Sequence, residues 1–562
     1  MSYSWLKGRC VLMCRNLLVL VIVAGLSCSA QGGYLDNVGY NQLKIELGTA
    51  LPTGAGIAIG QVESEGTEGN GTTGAYRPDP NHALFTGVNF HYQVSGGNTT
   101  PSQHATAVGM NLYGNTSMAP GVSDVYIWGA NAWLTTAYNK GLRGRRNQPI
   151  SHHFTRVLNH SWGGLQKSKS ETNWLLRSDW MVNRDGVFMV TGMNNGKNST
   201  RMTLMSGGYN SIAVGLVNGN HSTGTGYSSV RSRPDIVTNA SYGLTSYATA
   251  VVSSAAAMLL EVADNDARLV NARREPESLR AILMAGATKD GLAWSHSTWR
   301  PLDRVYGAGE LNVYNSYHIL NAGQQQASTT TLVDRVGWDF QADASQTQSS
   351  YYYFDVADQT VMTQLSAVLA WNRVVPNKPS SDKWTNANTQ ANLADLNLSL
   401  YRVNDGTMDL ANVIDISQSG RDQSGKVIDN VEHIYLNGNQ GLTTGRYALK
   451  VDVLDPVPGT QYALAWRSKL GIDFEDPDGD GDIDLDDLAL VRKHMGTTGT
   501  VGDMTSDGKV DLSDLFFIRN HFGKRVGDPI TSQSTGLTAI PEPTALIMMS
   551  VILVGGLLRP RP

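Results

Sequence analysis

The sequence predicts an α/β domain with a buried parallel sheet, followed by an antiparallel β-sandwich and a small acidic module with two helices. Residues 45–325 alternate short apolar, β-branched runs such as DVYIWGA and SIAVGLV with helical patterns, which is typical of buried parallel strands joined by helices. Residues 330–470 change to alternating strand patterns joined by Asn, Gly and Asp, which favours an antiparallel sandwich. Beyond residue 470 the chain becomes strongly acidic.

Charge is unevenly distributed along the chain. The net charge is −5, but residues 473–514 contain 13 acidic and three basic side chains, a local net charge of −10. This concentration indicates a site rather than a general surface property. Elsewhere no basic stripe with interleaved aromatic residues occurs, so the composition argues against nucleic acid as a partner.

Residues 1–30 predict a secretory signal. Basic residues precede the apolar run LLVLVIVAGL, and small residues then lead to a cleavage site near Ala30. All three cysteines lie in this segment, so we expect no disulfide in the mature chain. A lipoprotein signal through Cys28 is the alternative. About 500 residues remain between the two ends, too many for a single core.

Four segments of the α/β domain carry residue types suited to acyl transfer. Glu63 ends the run IAIGQVE, and His104 opens an apolar helix. Asn195 follows the buried run GVFMVTGM, and Ser246 opens a helix of small residues. A hydroxyl in a first helical turn lies near free backbone N–H groups and the positive end of the helix dipole, which suits a nucleophile whose product bears an oxyanion. An ordinary Ser/Thr N-cap is the alternative interpretation of Ser246.

Taken in order, these segments resemble the subtilisin-like serine proteases, or subtilases. GAGIAIGQVES is similar to the family's GxGVxVAVIDSG, and HATAVGM is similar to HGTHVAG. GVFMVTGMNNG resembles GVVVVAAAGNEG, and LTSYATAVVSSAAAMLL resembles GTSMASPHVAGAAALL. The chain order of acid, histidine and serine is that of subtilisin. The resemblance implies a peptidase domain over residues 31–325, with a parallel sheet and helices on both faces.

The resemblance also implies a role for each of the four residues. Ser246 would be the nucleophile, and His104 would be the general base that later protonates the leaving amine. Glu63 would orient the imidazole and stabilise its charged form. The Asn195 amide and the Ser246 backbone N–H would form the oxyanion hole.

A further segment, RVLNHSWGG, resembles the family's strand VINMSLGG, which pairs with substrate. Ser161, Trp162 and Gly163 would therefore lie along the backbone of a peptide or protein substrate, which binds as an added strand. The implied function is a secreted serine endopeptidase that hydrolyses peptide bonds through an acyl-enzyme with a Glu-His-Ser triad.

The sequence departs from the family pattern at several positions. The family's aspartate is Glu63 here, and Glu65 and Glu68 are close enough in sequence to compete for its role. Leu244 and Ala250 replace a glycine and a proline around the serine. These departures favour an alternative function, a catalytically inactive subtilase-like protein that acts as a cell-surface binding module.

A second serine imitates the nucleophile motif. The segment GNTSMAP, which contains Ser117, resembles GTSMASP more closely than the segment around Ser246 does. However, a strand pattern follows it instead of a small-residue helix, and Ser117 lies only 13 residues after His104. Ser246 therefore remains the predicted nucleophile.

Residues 330–470 resemble the accessory β domains that follow many secreted subtilases. The run of strands includes LNLSLYRV and RYALKVDVL, with alternating apolar residues. The segment carries no recognisable binding motif.

The acidic module, residues 471–525, contains two loops with the EF-hand pattern. Residues 476–487 and 503–514 each offer side-chain oxygens at loop positions 1, 3, 5, 9 and 12 and glycine at position 6, followed by a short helix. This pair resembles a type I dockerin, which implies calcium as cofactor and a cohesin-like domain as partner; a calcium-stabilised spacer is the alternative. The candidate calcium-binding residues are Asp476, Asp478, Asp480, Asp482, Asp484, Asp487, Asp503, Thr505, Asp507, Lys509, Asp511 and Asp514.

The end of the chain resembles a PEP-CTERM sorting signal of Gram-negative bacteria. After a linker at 526–540, residues 541–562 contain Pro-Glu-Pro, an apolar run and then arginines. The run is about 15 residues long, short of the roughly 20 that span a bilayer comfortably. The resemblance implies an exported protein, held transiently in the inner membrane until a sorting enzyme releases it to the cell surface or medium. A plain membrane anchor is the alternative.

Overall fold

The computed structural model describes two compact units, one up to Lys469 and one from Leu470. The predicted signal (1–30), linker (526–540) and sorting tail (541–562) lie outside the described residues. The described residues are 33–65, 73–93, 98–134, 155–163, 169–197, 204–224, 231–356, 360–375, 392–422, 425–472, 483–498, 502 and 509–523.

A seven-stranded sheet with strand order β2-β3-β1-β4-β5-β6-β7 forms the centre of the first unit. Every neighbouring pair is parallel. Because β3 and β4 flank β1 on opposite sides, the winding reverses at β1, the position where open α/β sheets bind ligands beyond their carboxyl ends. The strands are β1 (Ala58–Glu63), β2 (Asn89–Tyr92), β3 (Asp124–Gly129), β4 (Thr155–His160), β5 (Phe188–Gly192), β6 (Ile212–Leu216) and β7 (Ile236–Thr238).

Helices cover both faces of this sheet, as the sequence predicts. Side chains of a strand alternate between faces, so Val157 joins the core cluster that contains α2, α5, α7 and α8, whereas Leu158 joins the cluster that contains α4. The helices are α1 (Tyr40–Leu47), α2 (Gln103–Leu112), α3 (Ala130–Ala132), α4 (Lys169–Asp185), α5 (Thr245–Asn265), α6 (Val270–Arg274), α7 (Pro276–Gly286) and α8 (Val313–Asn321).

Helix α5 is the central helix of the domain. Its small residues allow close packing on the sheet: a Cβ on Gly192 of β5 would lie 2.8 Å from Oγ1 of Thr249. The helix is long and apolar enough to cross a membrane, but 83% of its most apolar window is buried inside the protein. Burial in the core of the domain therefore explains its apolar character.

Two four-stranded antiparallel sheets follow, which confirms the predicted β-sandwich. Their strand orders are β13-β10-β15-β8 and β12-β11-β14-β9. The sandwich shares an apolar core with the α/β domain, since Val368 and Val431 belong to the same cluster as Ile282 of α7. The strands are β8 (Val336–Gln341), β9 (Gln348–Val356), β10 (Thr360–Trp371), β11 (Asp395–Val403), β12 (Leu410–Gln418), β13 (Val431–Leu442), β14 (Gly445–Asp455) and β15 (Tyr462–Ile472).

Within its described residues, the second unit contains two helices that begin in the same way. In α9 (Leu485–His494) and α10 (Leu512–His521), an aspartate caps the first turn and a second aspartate, at the third helical position, accepts from the cap's backbone N–H. Between them lies a small apolar core, made by Ile483, Val491, Val510 and Ile518.

Candidate active site

Glu63 and His104 form a hydrogen-bonded pair beyond the carboxyl end of β1. Nδ1 of His104 lies 2.9 Å from Oε2 of Glu63. The glutamate side chain is 1% exposed and the imidazole 33% exposed, so the acid is shielded from water while the base stays accessible. Because a carboxylate only accepts, the neutral imidazole carries its proton on Nδ1 and leaves Nε2 as an acceptor. A general base oriented by an acid has this arrangement.

Local sequence explains how the two side chains meet. Glu63 is the last residue of β1, and its even spacing from Ile59 places it on the face that α2 covers. Helix α2 begins just before His104 because Oγ of Ser102 accepts a hydrogen bond from the backbone N–H of Ala105 at 3.0 Å. The cap thus sets the imidazole in the first turn, opposite the strand end.

Ser246 occupies the first turn of α5 and is half-buried. Its hydroxyl donates to the carbonyl oxygen of Ser161 at 3.3 Å, and the Ser161 hydroxyl donates back to the Ser246 carbonyl at 2.7 Å. The ring of Tyr247, the next residue, lies 5.9 Å from the His104 ring, centroid to centroid. The start of α5 is therefore tied to the end of β4 on one side and adjoins His104 on the other.

The side chain of Asn195 is fixed by the residue that precedes Ser246. Its Oδ1 accepts from the backbone N–H and from the hydroxyl of Thr245, at 2.9 and 3.0 Å. Since a backbone N–H is always a donor, the amide oxygen must face Thr245, and the amide nitrogen is the group left to donate. An exposed amide N–H beside the start of a helix suits an oxyanion.

One cleft contains the predicted residues that follow β4 and β5, together with the predicted serine in the first turn of α5. Glu63 and His104 form the hydrogen-bonded pair beyond β1 and are not among the residues that line this cleft. The cleft is lined by Ser161, Trp162, Gly163, Gly192, Met193, Asn194, Asn195, Thr245 and Ser246.

Two rival residues are held elsewhere. Oε2 of Glu65 accepts the backbone N–H of Asn131 at the start of α3, at 3.1 Å. Ser117 is 3% exposed, and its hydroxyl oxygen accepts from the N–H of Ala119 at 3.1 Å. The third rival, Glu68, lies outside the described residues.

The replacement of glycine by Leu244 causes no backbone strain. Leu244 has φ −115° and ψ 138°, an extended conformation that any residue adopts. The left-handed residues are instead Tyr242 and Gly243, with φ of 60° and 59°. Ala250, the other departure, is fully buried in α5.

Sequence reasoning missed several residues that hold the site. Asn159 of β4 donates to the Ser161 hydroxyl at 2.8 Å and accepts from the Ser253 hydroxyl of α5 at 3.0 Å. Gln61 of β1 donates to Glu63 at 2.8 Å. The available signal was a polar residue inside an otherwise apolar buried strand, which requires a hydrogen-bond partner.

The indole N–H of Trp162 donates to Nδ1 of His160 at 3.0 Å, next to the predicted substrate strand. Burial lowers the pKa of His160 from 6.5 to about 3, so the ring is neutral and accepts this bond.

The candidate calcium-binding residues fall partly within the described residues. Asp487 and Asp514 are fully buried and accept from the backbone N–H of Asp484 and Asp511 at 2.8 and 2.7 Å. Among the described residues no group of three or more His, Cys, Asp or Glu side chains is arranged to hold a metal. Lys509 is described, whereas these candidates lie outside the described residues: Asp476, Asp478, Asp480, Asp482, Asp503, Thr505 and Asp507.

Residues 93–309 match the family model Peptidase_S8, the subtilase family. The match includes His104, Asn195 and Ser246 and begins after Glu63. No curated protein sequence matches the chain.

Three solved structures are similar to this chain, and the first two are named as proteases. The prenylagaramide maturation protease PagA is 17% identical, with 47% of this chain and 93% of that chain covered and a TM-score of 0.34. The serine protease of Aeromonas sobria is 12% identical, with 74% and 89% covered and a TM-score of 0.34. MycP1 from Mycobacterium smegmatis is 16% identical, with 50% and 83% covered and a TM-score of 0.30.

Proposed function

We propose that this chain, which carries a subtilase-family domain, is an exported serine endopeptidase that cleaves peptide bonds through an acyl-enzyme. The observation that carries the proposal is the buried Glu63 carboxylate on Nδ1 of a half-exposed His104. This pair lies beside a helix start that presents Ser246, next to an Asn195 amide held in one orientation.

The chemistry follows from the proton positions. Ser246 Oγ attacks the scissile carbonyl carbon while its proton passes to Nε2 of His104, and Glu63 stabilises the resulting imidazolium. The imidazolium then protonates the departing amine, and water repeats the sequence on the acyl-enzyme. The Ser246 hydroxyl bond to Ser161 is long at 3.3 Å and therefore weak, so the hydroxyl can turn toward His104 at small cost.

The Asn195 amide would donate to the oxyanion that forms in each step. Losing one such donor typically costs about 10²–10³ in turnover. Peptide or protein substrates would pair with the backbone of Ser161, Trp162 and Gly163, which continues β4 beyond its end at the cleft.

One observation favours the alternative of an inactive binding module. The Ser246 hydroxyl donates to a backbone carbonyl, although a nucleophile would share its proton with the base. In the inactive form the cleft would still accept an extended peptide but would not cleave it.

Labelling with a serine-directed fluorophosphonate distinguishes the two functions. We expect the wild type to be labelled and to hydrolyse casein, and Ser246→Ala to lose both. Ser117→Ala is the matched control and should keep both, because its hydroxyl lies away from the cleft. A folded wild type that takes no label would exclude the endopeptidase and leave the binding module.

We further propose that the second unit binds calcium. The buried carboxylates of Asp487 and Asp514 fit a hard cation, which prefers oxygen ligands. Calcium would offset the repulsion among the clustered carboxylates and fix the start of each helix. Titration of the fragment 470–525 with calcium should increase its helical circular dichroism, and an unchanged spectrum at millimolar calcium would contradict the proposal. A cohesin-like domain is the partner that the dockerin resemblance suggests.

The terminal segments support export and sorting. We propose that the signal directs the chain out of the cytoplasm and that the tail holds it in the inner membrane until a sorting enzyme cuts near residues 541–543. Mass spectrometry of the exported protein should then find no peptide beyond that region, whereas an intact C-terminus would favour a plain anchor.

A further inference from the structure

We propose that Gln61 is a positioning residue that holds the Glu63 carboxylate and the helix carrying His104 in one geometry, with Tyr113 as its buried anchor. The proposal rests on the proposed peptidase function and deepens it.

The side chain of Gln61 is fully buried, and its amide is bonded on both sides. The amide nitrogen donates to Oε1 of Glu63 at 2.8 Å and to the carbonyl oxygen of Ala105 at 2.9 Å. The amide oxygen accepts from the Tyr113 hydroxyl at 2.6 Å. Since Ala105 directly follows His104, one side chain links the acid of the pair to the backbone beside the base.

Stability alone does not account for an amide at this position. Burying an unpaired amide is unfavourable, and the hydrogen bonds return little free energy beyond that cost. An apolar side chain of the same size would fill the strand without needing three partners. What the amide adds is direction: a donor at a fixed place for one oxygen of Glu63.

The anchor at the far end is rigid. Tyr113 is fully buried, and its ring packs against Phe85 and Phe90 at centroid distances of 5.3 and 6.0 Å. A Cβ on Gly109 would lie 2.5 Å from the Tyr113 hydroxyl, so this glycine makes room for the phenol. Burial, with the nearby charge of Glu63, raises the pKa of Tyr113 well above 10, which keeps the hydroxyl protonated as a donor.

A glutamate in this position needs more support from its neighbours than an aspartate would. A glutamate side chain has one more rotatable bond than aspartate and loses more conformational entropy when it is held in one position. The hydrogen bond from Gln61 to Oε1 of Glu63 removes that freedom, so Oε2 stays at 2.9 Å from Nδ1 of His104. Gln61 lies outside the residues that line the cleft, so it acts through Glu63 and not on substrate.

The test replaces Gln61 by methionine, which has a similar shape and no N–H donor. We expect Gln61→Met to lower kcat about tenfold or more, since small misplacements of catalytic groups cost up to roughly 10²-fold. KM should stay within about twofold, because substrate contacts are retained. The acid limb of the kcat/KM profile, which is set by protonation of the general base His104, should move to higher pH, because a carboxylate without the Gln61 donor attracts the imidazolium more strongly. Tyr113→Phe, which removes only the anchor, should give a smaller change in the same direction.

Gln364→Met is the matched control. Gln364 is buried in β10 of the sandwich and makes a similar bond, from its amide nitrogen to the Tyr435 hydroxyl at 2.9 Å. This variant should leave kcat and the acid limb unchanged. An equal loss in both variants, or a folded Gln61→Met enzyme with wild-type kcat and acid limb, would overturn the positioning role.

A spectroscopic measurement tests this proposal independently of the peptidase function. The proton between His104 Nδ1 and Glu63 should give a low-field NMR signal in the wild type, assigned by its absence in His104→Ala. The signal should broaden or vanish in Gln61→Met and persist in Gln364→Met. That result in a protein without fluorophosphonate labelling would sustain the positioning role while the peptidase function failed. A signal unchanged in Gln61→Met would overturn the positioning role whatever the activity.

Discussion

At the scale of single residues, the pairing of Glu63 with His104 depends on where the strand ends. Glutamate extends its carboxylate by roughly one C–C bond, about 1.5 Å, beyond that of aspartate. Even so, Oε2 lies 2.9 Å from Nδ1 of His104. Glu65 lies elsewhere, since a Cβ on Gly129 would clash with its Oε1. The glycine thus leaves space for Glu65 at the start of α3, away from the imidazole.

We therefore expect Glu63→Gln and Glu65→Gln to differ strongly in activity. Glu63→Gln should lower kcat by about 10⁴, as the amide replacement of a triad acid does in serine proteases. Glu65→Gln should cost little, because its carboxylate caps Asn131 and does not contact the base. Steady-state kinetics on a peptide substrate checks both variants. A severe loss of activity at Glu65 with a modest loss at Glu63 would show that Glu65, and not Glu63, is the acid that orients His104.

At the scale of elements, the end of β4 is stabilised by a neutral histidine. Nδ1 of His160 accepts from Trp162, and Trp162 lines the cleft. Protonation would turn this acceptor into a donor that faces another donor, so acid would break the bond that fixes the substrate strand. Burial against Trp133, whose ring centroid lies 5.2 Å from that of His160, keeps the ring neutral.

This element predicts a pH dependence of stability. The pKa of His160 is about 3 in the folded state and about 6.5 in the unfolded state, so the unfolded chain binds the proton first as pH falls. The stability that the neutral His160 ring contributes is present above pH 6.5. It is lost as the pH falls from about 6.5 to 3, at up to about 1.4 kcal/mol per pH unit. His160→Asn, whose amide oxygen can accept from Trp162, should make this slope shallower in denaturant unfolding.

His91→Gln serves as the control for that slope. His91 is 39% exposed and its ring lies 2.8 Å from a carboxylate oxygen of Asp124, so it is a surface histidine and not part of the buried core. Its removal should not make the acid slope shallower. An unchanged slope in His160→Asn would show that other groups cause the acid sensitivity.

At the scale of the whole molecule, the sandwich completes the peptidase-like domain. The guanidinium of Arg280, buried in α7, donates to the carbonyls of Tyr209, Trp371 and Asn430, at 2.7, 2.6 and 3.1 Å. Arg373, which follows β10 of the sandwich, pairs with the buried Asp179 of α4. Breaking one buried pair costs about 3–5 kcal/mol, a large part of the stability of a domain.

We therefore expect a chain that ends at residue 325 to be insoluble or unfolded. It would expose the apolar face that Val368 and Val431 cover and would leave Arg280 without its carbonyls from the sandwich. A chain that ends at residue 472 should fold, because residues up to 469 form a compact unit. Soluble yield and a single cooperative thermal transition check both chains. A well-folded chain ending at 325 would make the sandwich an independent accessory domain.

The fold class and the four residue types of the site can be predicted from contiguous stretches of sequence. Strand and helix periodicity and the small-residue run of α5 are properties of contiguous residues, so they can be recognised without coordinates. The predicted parallel sheet, the helices on both its faces and the β-sandwich are confirmed by the structure. The predicted roles of Glu63, His104, Asn195 and Ser246 remain predictions, now with a geometry that supports them.

The groups that hold those residues in place depend on contacts between segments that are distant in sequence. The choice between Glu63 and Glu65 depends on a contact with His104, 41 residues away in sequence, and the support from Gln61 depends on Tyr113, 52 residues away. The docking of the sandwich depends on Arg280 and Asn430, separated by 150 residues. The physical reason is that propensity and periodicity act between near neighbours, whereas a buried polar group is satisfied by whatever partner the folded chain brings within about 3 Å.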